Sequence, residues 1–354
     1  MKNISKIAKS VFAAAAVLFM LVAINSSLFA KSKKADKKSK TSKVNIVTTI
    51  FPQYDWVRQL LGDKNQNTEL TLLLGNGVDL HSYQPSIQDI AKISTADIFI
   101  FVGGESDGWV KDALKNAKNT EMIVLNLMEL LGDKVKEEEI VEGMEGEEEE
   151  EDEEDEHDHD HEDADEHHHH HHDDEEAEYD EHVWLSLKNA KVICEKITEA
   201  LCQKDSKNKA TYQNNLSEYL AQLDELDWVY SSVINNASKD TLIFGDRFPF
   251  RYLVDDYNLN YYAAFVGCSA ETEASFKTVI FLANKMDELN SNYIFKIESG
   301  DDKLAKTIIQ NSSKKNAQVL VLDSMQSVTS KQAEATSYIK IMSENLQTLQ
   351  KGLE

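Results

Sequence analysis

Hydrophobic and polar positions follow two rhythms along most of this chain, and the two take turns. Short runs rich in branched and aromatic residues read as strands: VNIVTTI (44–50), ELTLLL (69–74), DIFIFVG (97–103) and EMIVLN (121–126). Between them, FPQYDWVRQLLG stops at Gly62, GWVKDALKNAK keeps helical spacing, and a further helix opens near Pro85, a residue suited to a first helical turn. The scheme returns in the second half with TLIFG (241–245), NYYAAFV (260–266), NYIFKI (292–297) and QVLVLD (318–323). Strands alternating with helices imply parallel βαβ units. The predicted fold class is therefore α/β: two lobes, each a four-stranded, mainly parallel sheet flanked by helices.

A different pattern separates the two halves. Tyr212, Leu216, Tyr219, Leu220, Leu223, Leu226, Tyr230 and Val233 recur at spacings of three and four, the signature of an amphipathic helix. Some 30 residues at 1.5 Å each span about 45 Å, enough to reach both lobes and fix their separation; a pair of shorter helices with a break is the alternative. The organisation that follows is an N-terminal lobe over 44–205, an interlobe helix over 206–237 and a C-terminal lobe over 238–354.

Charge changes this picture at one place. The chain of 354 residues carries a formal net charge of −26, but residues 137–181 hold 28 Asp and Glu and no Lys or Arg. Setting those aside leaves 35 acids against 37 bases, so the globular part is nearly neutral and offers no nucleic-acid surface. The acidic stretch is read as an insert over 137–180 in the first lobe. Its composition cannot build a core, so disorder is expected there.

The N-terminus reads as an export signal over 1–30. Lys2, Lys6 and Lys9 precede an uncharged run from Val11 to Ile24, and Ala30 is a suitable cleavage residue. The apolar run is short for a spanning helix, which needs about 20 residues. A Lys-rich linker follows over 31–43. No Cys lies near the junction, so anchoring through a lipid-modified N-terminal cysteine is not expected; the protein is read as exported, periplasmic or at the cell surface. The three cysteines, Cys194, Cys202 and Cys268, form no disulfide framework and no zinc-thiolate spacing, and are read as free thiols.

Of the 11 histidines, nine lie in the acidic insert: His157, His159, His161, His167, His168, His169, His170, His171 and His172. Imidazoles among carboxylates offer many weak, interchangeable metal sites, and an internal run so embedded is no terminal tag. Only His81, in GNGVDLHSYQPS, and His182, in EHVWLS, fall in otherwise structured sequence. In open parallel sheets ligands bind beyond the carboxyl ends of strands. His81 lies on such a loop, and Asp246 and Asp323 end strands of the second half. Two imidazoles and a carboxylate could meet between the lobes.

The segments HSYQPSIQDIAKISTADIFIFVGGESDGWV, HVWLSLKNA, ATYQNNLSEYLAQLDELD, FRYLVDDYNL, GCSAETEASF and VLDSM, in this order, resemble the zinc- and manganese-binding solute receptors of bacterial ABC transporters. The resemblance covers 44–354 apart from the insert. It implies two α/β lobes joined by one long helix, a transition metal held between them, and a membrane permease as partner of a monomeric receptor. It assigns His81, His182 and Asp323 as metal ligands. A His- and acid-rich loop near the second ligand is similar to the zinc branch, which implies zinc as cargo with manganese second. One position departs. Five residues before Tyr252, where the family places His or Glu, stands Arg247, a permanent cation that cannot bind metal. Asp246 is the nearest replacement donor, and Glu298 is a candidate to neutralise Arg247.

Two other functions compete with a receptor. A storage or buffering protein would work through the insert and bind several weak metals. A metallohydrolase would use an open position on a cleft metal to activate water, but no general base accompanies it.

Overall fold

The computed structural model describes residues 43–145, 178–269 and 273–354. The export segment, nearly all of the Lys-rich linker and the nine insert histidines lie outside the described residues. Among the described residues no helix is long and apolar enough to cross a membrane.

The first lobe contains β1 (Val44–Thr48), β2 (Thr68–Leu72), β3 (Ile98–Phe101) and β4 (Ile123–Asn126), ordered β2-β1-β3-β4 and parallel throughout. The second contains β5 (Thr241–Phe248), β6 (Asn260–Val266), β7 (Tyr293–Ile297) and β8 (Gln318–Leu322), ordered β6-β5-β7-β8 and also parallel. The two sheets share one topology. In each, the first strand in sequence lies inside the sheet and the chain reverses direction of addition beside it, which opens a crevice at the carboxyl ends. Near-continuous apolar runs such as Ile98–Phe101, buried along their whole length, fit strands covered on both faces.

Helices α1 (Phe51–Leu61), α2 (Ile87–Ser94), α3 (Val110–Lys115), α4 (Leu127–Leu131) and α5 (Leu187–Lys204) belong to the first lobe. The helix that opens near Pro85 starts after Ser86, whose hydroxyl accepts from Asp89 N. Helix α6 (Lys209–Asn235) runs unbroken for 27 residues, about 40 Å at 1.5 Å per residue. It buries Tyr212, Tyr219, Leu223, Leu226, Tyr230 and Ile234, the face its spacing predicts, and no proline interrupts it. The second lobe adds α7 (Arg251–Tyr257), α8 (Phe276–Glu288), α9 (Lys303–Asn311), α10 (Ser330–Ala335) and α11 (Tyr338–Gly352). One hydrophobic core runs through both lobes, with Trp56, Trp184, Tyr230 and Tyr338 among its largest fully buried members. Tyr230 Oη donates to Met342 O at 2.6 Å and so ties α6 to α11. A smaller cluster of Ile243, Leu282, Met286, Ile294 and Ile308 fills the space beneath α8 and α9.

The acidic insert is narrower than its composition implies. Residues 137–145 and 178–180 are built into the fold, which corrects the margins of the 137–180 reading. Glu137 and Tyr179 form an antiparallel bridge, Glu138 N donates to Glu178 O at 2.8 Å, and Asp180 N donates to Lys136 O at 2.9 Å. Met144 is buried and Glu145 N donates to Ala264 O. These acids keep their place because backbone pairing and one buried side chain anchor them despite the charge.

Candidate metal centre

His81 and His182 are brought to one point by two loops at the carboxyl end of the first sheet. His81 lies in a short 3-10 turn, Leu80–Ser82, that follows β2. Asp79 caps that turn, its carboxylate accepting from His81 N at 3.0 Å. His182 caps the turn Val183–Leu185 just before α5, and Asp180 Oδ1 accepts from His182 N at 2.8 Å. The two Nε2 atoms are 3.1 Å apart. Two nitrogens bound to one tetrahedral zinc at about 2.0–2.1 Å lie about 3.3 Å apart, so the rings already stand at ligand spacing.

The far side of each ring is occupied. His182 Nδ1 lies 3.0 Å from Asp180 Oδ1. His81 Nδ1 lies 2.8 Å from Ser106 Oγ, in the loop after β3, and 3.5 Å from Glu181 Oε2. Partners of this kind fix the tautomer and ring orientation of metal-binding histidines and leave the opposite nitrogen for the ion. Gly104, at φ +78°, makes room for this arrangement, because a Cβ there would stand 2.3 Å from Glu181 Oε1. Glu181 Oε1 accepts from Ser106 N, while its other oxygen is buried and accepts no hydrogen bond among the described residues.

Two imidazoles this close do not both carry charge. Burial, followed by the His182 ring, with the Arg247 cation adding to both, holds His81 down to about 3 despite the opposing Asp79 charge. Burial also opposes a proton on His182, but the charge and hydrogen bond of Asp180 outweigh it and raise this ring above the ordinary imidazole range. The excess proton of the pair is therefore favoured on His182, beside Asp180, and a metal ion between the rings must displace it.

Around the imidazoles, the second lobe departs from what its sequence suggests. β5 carries one extra residue relative to β6 between Phe244 and Arg247, a register shift that re-aims the side chains beyond it. Asp246 is turned into its own lobe, where its carboxylate accepts from Arg247 N at 2.9 Å and Ile297 N at 3.2 Å. Asp246, proposed for the missing ligand position, is not among the side chains whose donor atoms gather with His81 and His182. Arg247 does not pair with Glu298 either. It forms its ion pair with Asp79 of the first lobe, while Glu298 accepts from Ser324 N, Ser324 Oγ and Ser327 Oγ. Asp79, placed by the His81 turn, meets the guanidinium first. Asp323 stands at the tip of β8 and accepts from Met325 N at 2.7 Å; burial and the neighbouring Glu298 charge push its carboxyl up to about 7. The structure does not bring Asp323 into a common ligand group with the histidines.

It brings Cys268 there instead. Among the described residues, His81, His182 and Cys268 form the group of metal-binding side chains whose donor atoms lie within 4.8 Å of one another. Cys268 follows β6, and its amide donates to Glu138 Oε1 at 3.1 Å. Burial, then the charge of Glu138, pushes its thiol well above its usual range. The three cysteines are free thiols, as read from the sequence, but that reading did not single out Cys268. The signal was available, since Cys268 lies just beyond a predicted strand end, the same rule that picked out His81 and Asp323. Ser106, Asp79, Asp180 and Glu181 were also missed, although the last two directly precede His182.

Residues 46–352 match the family model described as zinc-uptake complex component A, periplasmic. The chain is 30% identical over 339 residues to the high-affinity zinc uptake system protein ZnuA of Bacillus subtilis (strain 168), covering 96% of this chain and 95% of that protein. It is also 30% identical to the zinc-binding lipoprotein AdcA of Streptococcus pneumoniae (strain R6), over 89% of this chain but 57% of the lipoprotein, so it spans little more than half of that relative. The crystal structure of the Zn(II)-bound ZnuA-like domain of Streptococcus pneumoniae AdcA superposes with a TM-score of 0.64 at 25% identity, covering 88% of this chain and 99% of that one. With the match running through both lobes, the chain belongs to the zinc-uptake complex component A family, whose members serve metal transport and are not enzymes.

Proposed function

We propose that this protein is an exported receptor that binds a zinc ion in the cleft and hands it to the membrane permease of an ABC transporter. The observation that carries the reading is the His81–His182 pair, with its Nε2 atoms 3.1 Å apart and both Nδ1 atoms engaged. A histidine pair built for structure alone has no need to turn both Nε2 atoms to one point at ligand spacing with both Nδ1 atoms engaged. Asp323 is the carboxylate that the family resemblance offers from the opposite lobe, and it completes the coordination when an ion draws the lobes together. Zinc ranks ahead of manganese because nitrogen-rich sites follow the affinity order that favours zinc. Zinc is cargo here, bound and released without a chemical step.

The His-rich insert collects metal for this site: His172 precedes His182 by only ten residues in the sequence. Isothermal calorimetry on the full chain and on a chain lacking 147–176, a deletion that spares both paired flanks, tests both parts. One tight zinc per chain surviving the deletion and lost in His81→Ala supports a receptor. Several weak zincs that all disappear with the deletion indicate a storage protein instead.

A further inference from the structure

We infer that Cys268 is the third protein ligand of the cleft metal, replacing from the tip of β6 the donor that Arg247 removes from the tip of β5. The inference rests on the reading of the cleft as the zinc site and adds to it a thiolate. Strands β5 and β6 are parallel neighbours, with Phe248 opposite Val266, so both strand tips open on the same side of the lobe. Arg247 is drawn into its ion pair with Asp79. Two residues past Val266, the Cys268 sulfur lies within 4.8 Å of a ring nitrogen of each histidine. On a tetrahedral zinc, sulfur at about 2.3 Å and nitrogen at about 2.0–2.1 Å lie about 3.6 Å apart, so coordination asks for an adjustment of about 1 Å.

Three further observations point the same way. Gly267 is the residue that allows the approach: a Cβ there would stand 3.0 Å from His182 Cε1 and 2.9 Å from Phe248 O. The loop is pinned by the Cys268 amide on Glu138. The buried Glu181 Oε2, unpartnered among the described residues, lies 3.5 Å from His81 Nδ1, and Asp180 Oδ1 lies 3.0 Å from His182 Nδ1. An ion between the rings and the sulfur gives this negative surround its counter-charge. On binding, the S–H bond is replaced by a sulfur–zinc bond and the proton passes to solvent; no oxidant is involved. Sulfur is a soft donor, so this ligand also selects zinc against manganese.

The full chain titrated with cobalt(II) tests this directly, because thiolate–cobalt coordination gives a near-ultraviolet charge-transfer band and residues 137–181 contain no cysteine. The band is expected in the unmodified protein and in Cys202→Ser, and is expected to vanish in Cys268→Ser. Zinc affinity, read by chelator competition, is expected to fall by at least about tenfold in Cys268→Ser, since loss of even an outer partner commonly costs that much. Cys268→His is expected to recover most of that loss without the band. A tight, His182-dependent zinc site with no sulfur band in the unmodified protein overturns the ligand assignment and leaves the cleft reading standing. Tight zinc binding indifferent to His182→Ala overturns both.

Discussion

The two lobes have the same strand order, yet their cleft-facing ends do opposite things. In the first lobe the loops past the strand tips present two imidazoles, and each ring is oriented from behind by Asp180 or by Ser106 and Glu181. In the second lobe the expected donors are engaged elsewhere: Asp246 with its own backbone amides, Asp323 within its own turn, and Arg247 with Asp79 across the cleft. A shared topology fixes where a ligand can sit and leaves open which lobe supplies the donors. Here the first lobe brings two imidazoles to ligand spacing, and from the second lobe the Cys268 sulfur joins them within 4.8 Å.

The largest effect that could break this asymmetry comes from substituting one member of each lobe. His182→Ala is expected to weaken zinc binding by more than about 100-fold, beyond the 10–100-fold typical of losing an outer-shell partner. Asp246→Asn is expected to change it by less than about threefold, as its carboxylate bonds only backbone amides. Equal losses in competition titrations would mean that the second lobe is a full partner. Next comes Asp180→Asn, with an expected loss of about 10–100-fold at pH 8. This substitution also has a pH signature. Asp180 raises the His182 pKa above its ordinary value, so in the unmodified protein zinc competes with a proton up to that raised pKa. Affinity should climb more steeply with pH below it than above it, by about a further tenfold per unit, since the Cys268 thiol gives up its proton in both ranges. Without Asp180 the ring loses its proton at lower pH, so the penalty of the substitution should shrink as the solution is acidified. A penalty that does not vary between pH 5.5 and 8 would place the proton elsewhere.

How far the sequence could be read follows the same division. Periodicity found all eight strands and the buried face of α6, because both depend on local hydrophobic spacing. His81 and His182 stood out because histidine is scarce outside the insert. The residues around them did not, since orienting partners such as Ser106 are distant in sequence and ordinary in type. The fate of Asp246 depended on one extra residue in β5 relative to β6, which re-aims a side chain without changing composition. Arg247 was legible as a non-ligand, but its partner was not: Asp79 and Glu298 are equally plausible acids until the turn around His81 is built. The insert was overextended for the opposite reason, since charge marks Glu138 as solvated when in fact it accepts a hydrogen bond from the Cys268 amide.

A smaller effect sharpens the role of Arg247. Its charge disfavours protonation of both imidazoles, and the same field opposes a divalent ion. Arg247→Gln is therefore expected to raise zinc affinity by about three- to tenfold, more at low salt than at high. Asp79 remains held by its hydrogen bond from His81 N, so the His81 turn should survive the change. A loss of affinity instead would mean that the ion pair with Asp79 is needed to hold the second lobe against the site.

The smallest expected effect concerns the strut that joins the halves behind the His182 loop. Tyr252 belongs to α7 of the second lobe, and its buried hydroxyl donates to Asp180 O at 2.7 Å while accepting from Lys136 N at 3.0 Å. It thereby fixes the strand pair that carries Asp180 and, two residues on, His182. Tyr252→Phe keeps the ring packing and removes only the oxygen, leaving one amide and one carbonyl short of a partner. Such a loss costs about 1–3 kcal/mol. If the first lobe is a self-sufficient half-site, the cost should appear mostly as a lower unfolding midpoint in denaturant, with zinc affinity falling by no more than about threefold. A fall comparable to that of Asp180→Asn, at unchanged stability, would show that the second lobe aims the His182 loop, and the two halves of the site would then be less unequal than their donors suggest.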